Sequence, residues 1–105
     1  MRQKLSVNYT ALKELSLTVS LAQDPGLVQE FLECLLTPNE LAEISTRWAL
    51  VRLIEEGMSQ RKIADRLNLS LCKITRGSKE LKKENSAFKR MIGIYKGAST
   101  DKENK

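Results

Sequence analysis

The sequence holds no histidine, and only two cysteines, two prolines and five glycines among its 105 residues. Without histidine there is no Ser-His or Cys-His nucleophile pair and no imidazole ligand for zinc. Cys34 and Cys72 are far apart, with no second cysteine near either. That is neither a metal-knuckle nor a redox spacing, and two thiols do not make a disulfide scaffold. No base stands near a nucleophile, so no catalytic residue, metal site, covalently bound cofactor or enzyme activity is expected. Long apolar runs are missing too: the longest is Trp48-Ala49-Leu50-Val51, far short of the ~20 residues that span a membrane. Arg2 and Lys4 imitate the start of a secretion signal, but Lys13-Glu14 interrupts what would be its apolar stretch. A cytoplasmic protein without a membrane partner is the expectation.

The composition is that of a globular chain, 41% apolar and 30% charged. Its length suits one domain. The net charge of +5 is unevenly divided. Residues 1–60 carry five basic and eight acidic side chains, whereas residues 61–90 carry ten basic and three acidic ones. A concentrated patch of this kind neutralises phosphates and releases counterions, which points to nucleic acid. Charge alone is equally compatible with a solvated lysine-rich surface.

The periodicity predicts helices throughout and no sheet. Leu12, Leu15, Val19 and Ala22 mark a first helix over 11–22. Asp24-Pro25 starts a second, with Asp as cap and Pro in the first turn. Thr37-Pro38-Asn39-Glu40 is a capping box for a third, running to about Glu56, with Leu41, Ile44, Trp48 and Val51 as its stripe and Gly57 as its stop. Three such apolar helices exceed what a thin monomeric bundle covers, so a homodimer is expected. Ser59 caps a short helix over Gln60–Leu67, Asn68 and Leu69 make a turn, and Ser70 caps a helix to about Ser78. Ser86 caps a last helix through Tyr95 with Phe88 and Ile92 inward, and a frayed tail follows from Lys96.

The segment from Gln60 to Gly77 has the spacing of a helix-turn-helix. Ile63, Leu67, Leu69 and Ile74 suit its small core, Ala64 suits the close crossing of the helices, and Asn68 suits a turn position of positive φ. The second helix would present Ser70, Leu71, Cys72, Lys73 and Thr75 to base edges in the major groove. Leu71 and Cys72 offer apolar contact to thymine methyls, and Lys73 and Thr75 offer hydrogen bonds. Gln60 and Arg61 suit phosphates, and Lys82 and Lys83 extend that footprint. Cys72 is read as a small, well-packed thiol without redox chemistry.

Leu36-Thr37-Pro38, Thr46-Arg47, Gly57-Met58-Ser59-Gln60-Arg61 and Ile74-Thr75-Arg76-Gly77-Ser78, in that order, resemble the bacterial trp repressor family from about Leu35 to Lys82. The resemblance implies an all-α, roughly six-helix, intertwined homodimer that represses tryptophan-biosynthesis or transport genes on operator DNA, with L-tryptophan as corepressor. It implies a single domain over 1–105: an N-terminal arm (1–10), a dimerisation core (11–57), a helix-turn-helix segment (59–82), a C-terminal helix (86–95) and a flexible tail (96–105). The indole of this amino-acid ligand would lie between Arg47 and Arg76, since guanidinium planes stack on aromatic faces and attract carboxylates. Thr37, the backbone of Leu36 and the Cys34 position would come from the other subunit, and Gly77 would let the ligand approach the backbone. Water-mediated base contacts are a further implication.

Four positions depart from the family pattern. Glu80 replaces a small residue near the ligand's amino group, where it pairs with the ammonium or crowds the pocket. Trp48 replaces a smaller aliphatic residue and is placed to fill part of the cavity. Ala64 stands where a family lysine reaches DNA, and the stretch between Thr46-Arg47 and Gly57-Met58 is one residue short. If Glu80 and Trp48 close the pocket, the alternative is a ligand-independent regulator of the same fold. A helical adaptor for an acidic protein is the alternative from another class.

Overall fold

The computed structural model describes residues 6–103. Its elements are six helices, with no strand among the described residues: α1 (Tyr9–Leu21), α2 (Pro25–Leu35), α3 (Pro38–Glu55), α4 (Gln60–Leu67), α5 (Leu71–Lys82) and α6 (Ala87–Glu103). The fold is therefore all-α. The single domain expected from length divides, within one chain, into two compact units, one reaching Leu41 and the other starting at Ala42.

In the first unit the caps follow the sequence signals. The side chain of Asn8 accepts from the Ala11 N–H at 3.0 Å, and that of Asp24 accepts from the Leu27 N–H at 3.2 Å, with Pro25 at the first helical position. The cap at Asn8 starts α1 two residues ahead of the expected Ala11, inside the stretch read as an arm; residues 1–5 of that arm lie outside the described residues. Thr37 and Glu40 form the expected reciprocal box, at 3.1 and 2.8 Å. Neither α1 nor α2 buries a single residue, and Leu12, Leu17, Leu21, Leu27, Phe31 and Leu35 are all exposed.

The second unit has a core. Leu50, Ile63 and Ile74 are buried together, with Leu53, Ile54, Met58, Ala64, Leu67 and Leu69 packed against them. This includes the four positions expected to form the core between α4 and α5, and Ala64 where a small side chain was expected. α3 ends at Glu55, and the chain turns at Gly57, whose φ is +92°. The Gly57 N–H donates to the Ile54 carbonyl and the Met58 N–H to the Leu53 carbonyl, which satisfies the last turn. Asn68 takes φ 55° and ψ 50°, the left-handed turn expected there, and the Leu69 N–H donates back to the Ala64 carbonyl.

α6 is tied to α3 by Lys96 Nζ, 3.0 Å from Glu55 Oε1, and by the Arg52 guanidinium over the Tyr95 ring at 4.6 Å. Ile92 is buried, as expected. Two helices outrun their expected ends. α5 continues from Ser78 to Lys82 because Lys79-Glu80-Leu81-Lys82 are all good helix formers. α6 continues from Tyr95 to Glu103 across the stretch read as a flexible tail, because no proline intervenes and the Lys96 ion pair anchors it beyond Tyr95. Residues 104–105 of that tail lie outside the described residues.

Ile63 has no exposed surface. Its truncation to alanine is expected to cost about 2–5 kcal/mol, and Ile63→Val about 1 kcal/mol, measured by urea unfolding.

Candidate functional site

α4 and α5 have short polar caps and strongly basic surfaces. Ser59 Oγ accepts from the Lys62 N–H at 3.3 Å, and Ser70 Oγ accepts from the Lys73 N–H at 3.4 Å. These caps set where each helix starts, and so where its first side chains emerge. Gln60 and Arg61 are exposed on the first turn of α4, and Ser70, Leu71, Cys72, Lys73 and Thr75 are exposed along the start of α5, as is Lys82 at its end. Leu71 is 57% exposed, a large apolar side chain held out to solvent at the tip of a helix. Cys72 is a free and exposed thiol, so the expectation that it is well packed is corrected: the core of this unit takes Ile74 instead, two positions on and about 200° around the helix. The Thr75 hydroxyl donates to the Leu71 carbonyl at 2.9 Å, which leaves its lone pairs for an outside donor.

The opposite side of α5 faces α3. Gly77 is buried here, and a Cβ added to it would lie 3.1 Å from Leu50 Cδ2. Its lack of a side chain thus serves the approach of two helices, a role the sequence reading assigned to ligand access alone. Beside this contact lies an open cleft of about 610 Å³, within the usual range of small-molecule sites. Apolar Leu50, Val51, Leu69 and Phe88 line part of it, and Arg47, Lys73 and Arg76 place three cations around it. Glu43 and Glu80 add two carboxylates. The cleft therefore offers an apolar surface together with both signs of charge, which suits a zwitterion with an apolar body.

Of the residues assigned to a ligand, the structure brings Arg47, Arg76, Gly77 and Glu80 together in this cleft. Leu36 and Thr37 do not line it, and Thr37 is engaged as the cap of α3. Trp48 is half-buried but does not line the cleft, so the expectation that it fills the cavity is corrected. Successive residues on a helix diverge by about 100°, and Arg47 is the one that faces the cleft. Glu80 leaves the cleft open and pairs with Lys83 at 2.8 Å. Glu43, Thr46 and Lys73 as cleft residues, and the apolar lining, went unnoticed in the sequence. Helical spacing carried the signal, since Glu43, Arg47 and Leu50 share one face of α3, and Lys73, Arg76 and Glu80 share one face of α5. No group of acidic or cysteine side chains among the described residues is arranged to hold a metal, and no helix is long and apolar enough to cross a membrane.

The model of the family described as Trp repressor protein matches residues 10–94, from α1 well into α6. The chain belongs to the Trp repressor family. The family match reaches well beyond the Leu35–Lys82 stretch on which the sequence motifs rest. Members are DNA-binding transcriptional regulators and not enzymes. The chain is 39% identical over 72 residues to a Trp operon repressor homolog of Actinobacillus succinogenes, covering 68% of this chain and 71% of the relative. A homolog of the same name from Haemophilus influenzae is 38% identical over 71 residues, 67% of this chain and 70% of the relative. Another, from Chlamydia trachomatis, is 31% identical over 71 residues, 67% and 76% respectively. No solved structure gives a significant match.

The Gly77 contact generates a test. Gly77→Val adds an isopropyl group toward Leu50 and is expected to destabilise by about 1–3 kcal/mol. In a double-mutant cycle with Leu50→Ala, read by thermal unfolding, the pair should cost less than the sum. Strict additivity would sever the assigned contact.

Proposed function

We propose that this member of the Trp repressor family is a sequence-specific repressor of tryptophan-biosynthesis or transport genes, acting in the cytoplasm as a homodimer with L-tryptophan as its corepressor. The observation that carries the reading is that Arg47 on α3 and Arg76 on α5 line one cleft directly beside the exposed start of α5. The indole stacks between the two guanidinium planes, which also attract the carboxylate. Glu80, with Glu43 near it, receives the ammonium, and Gly77 leaves room for the ring. Leu36 and Thr37 of the second subunit close the polar end.

Dimerisation is supported by α1 and α2, which leave seven large apolar side chains exposed in the single chain; faces of that kind are rarely left bare on a soluble monomer. In this reading residues 11–57 build the dimer and 59–82 form the head that reads DNA, within one domain. Gln60, Arg61 and Lys82 hold phosphates, while Ser70, Leu71, Cys72 and Thr75 face the bases; Lys73, expected among them, lines the cleft instead. Two heads must stand one turn of DNA apart, ~34–36 Å, to enter successive major grooves. The ligand lies between α3 and the head, so it favours one tilt of α5, and it shifts the equilibrium only by its differential affinity for that state.

The decisive measurement is affinity for operator DNA with and without L-tryptophan across a salt series, together with sedimentation of the free protein. We expect a dimer and a tightening of about tenfold or more with ligand, within the usual range of coupling energies. Arg76→Ala should abolish the ligand response and retain weak non-specific binding. A steep salt dependence with no ligand effect would keep the DNA-binding function and overturn the corepressor.

A further inference from the structure

The exposed surface at the start of α5 continues along the whole helix. Cys72, Thr75, Lys79 and Lys82 are all exposed, and their spacing of three, four and three residues puts them in one row along the helix. The row begins at the base-facing turn and ends at the elbow between α5 and α6. There Lys82 and Lys83 share a shallow hollow with Lys89 and Arg90 of α6, with Glu84 as its one acidic residue and Ser86 between them. Ser86 Oγ accepts from the Lys89 N–H at 3.2 Å and so fixes the first turn of α6. That end of a helix carries partial positive charge and favours anions. Lys83 is paired with Glu80 at 2.8 Å, whereas Lys79, Lys82, Lys89 and Arg90 have no ion-pair partner among the described residues.

Length decides what such a hollow meets. α5 has 12 residues, hence about 18 Å at ~1.5 Å per residue, against a major groove ≈ 12 Å wide. A helix whose first turn reads base edges must carry its last turn out over the sugar-phosphate backbone. We propose that the α5–α6 elbow is a further DNA site, in which Lys82, Lys89 and Arg90 grip the phosphates flanking the groove read by α5. The inference rests on α5 being the groove-entering helix. Lys89 and Arg90 add contacts outside the helix-turn-helix itself, and such contacts carry affinity and register without base preference.

Because phosphate contacts are independent of sequence, the probe is a random-sequence duplex of about 20 base pairs, two turns, titrated with the full chain from low to high salt. Each phosphate contact contributes about 0.9 to the slope of log K against log salt. Lys89→Gln with Arg90→Gln should lower that slope by about 1.8 for each head bound, about 3.6 when both heads of a dimer occupy the duplex. The charge-conserving pair Lys89→Arg with Arg90→Lys should restore it, and Lys13→Gln, a control on α1, should leave it unchanged. Both elbow side chains are exposed, so thermal melts should match the parent; if the double variant melts early, Arg90→Gln alone should still lower the slope by about 0.9 for each head bound. A parent-like slope in the neutralised variants, or an equal drop with Lys13→Gln, overturns the elbow site. A parent with no salt-dependent affinity for DNA overturns the groove-entering reading itself.

Discussion

The organisation of the second unit depends on the close approach of α5 to α3 at Gly77, where even a methyl group would press on Leu50 at 3.1 Å. That approach buries Ile74 beside Leu50 and Ile63, and it puts the Lys73, Arg76 and Glu80 face of one helix opposite the Glu43, Arg47 and Leu50 face of the other. Helical propensity alone disfavours glycine in the middle of α5 by about 1 kcal/mol relative to alanine. The loss is offset by burial that a larger residue would prevent. The cleft and the exposed start of α5 thus belong to a single element, so whatever fills the cleft bears on the tilt of α5.

The two units divide the physical work. The first is amphipathic without a core: its caps are well made, yet its apolar rows face solvent in the isolated chain. The second has a core and carries the excess of positive charge. α5 has three faces with three uses, one buried in the unit, one lining the cleft and one basic row leading to the elbow. A helix of this length can combine these uses because side chains three and four apart stay on the same side.

Much of this was legible in the residues. The caps at Asp24, Thr37, Ser59, Ser70 and Ser86 were readable because a short polar side chain that bonds to a nearby N–H is a local interaction. So was the turn at Asn68, whose left-handed φ is a property of one residue. The ends of α5 and α6 were not, since Lys and Glu runs suit a surface helix or a tail equally until an anchor such as the Glu55–Lys96 pair decides between them. The direction of Trp48 was also misjudged, because adjacency in sequence to Arg47 says little about which face of α3 the indole takes.

The sequence by itself determined the helices, their caps, the helix-turn-helix spacing, the division of charge and the family, all of which depend on residues within a few positions of one another or on ordered motifs. Only the tertiary structure decided that Arg47 and Arg76 face a common cleft, that Glu43 and Lys73 join them and that Trp48 does not, and that Lys89 and Arg90 meet Lys82 at the elbow. These are distances between helices, set by how closely α5 can pack on α3 and how sharply the chain turns before α6, and no local pattern encodes them.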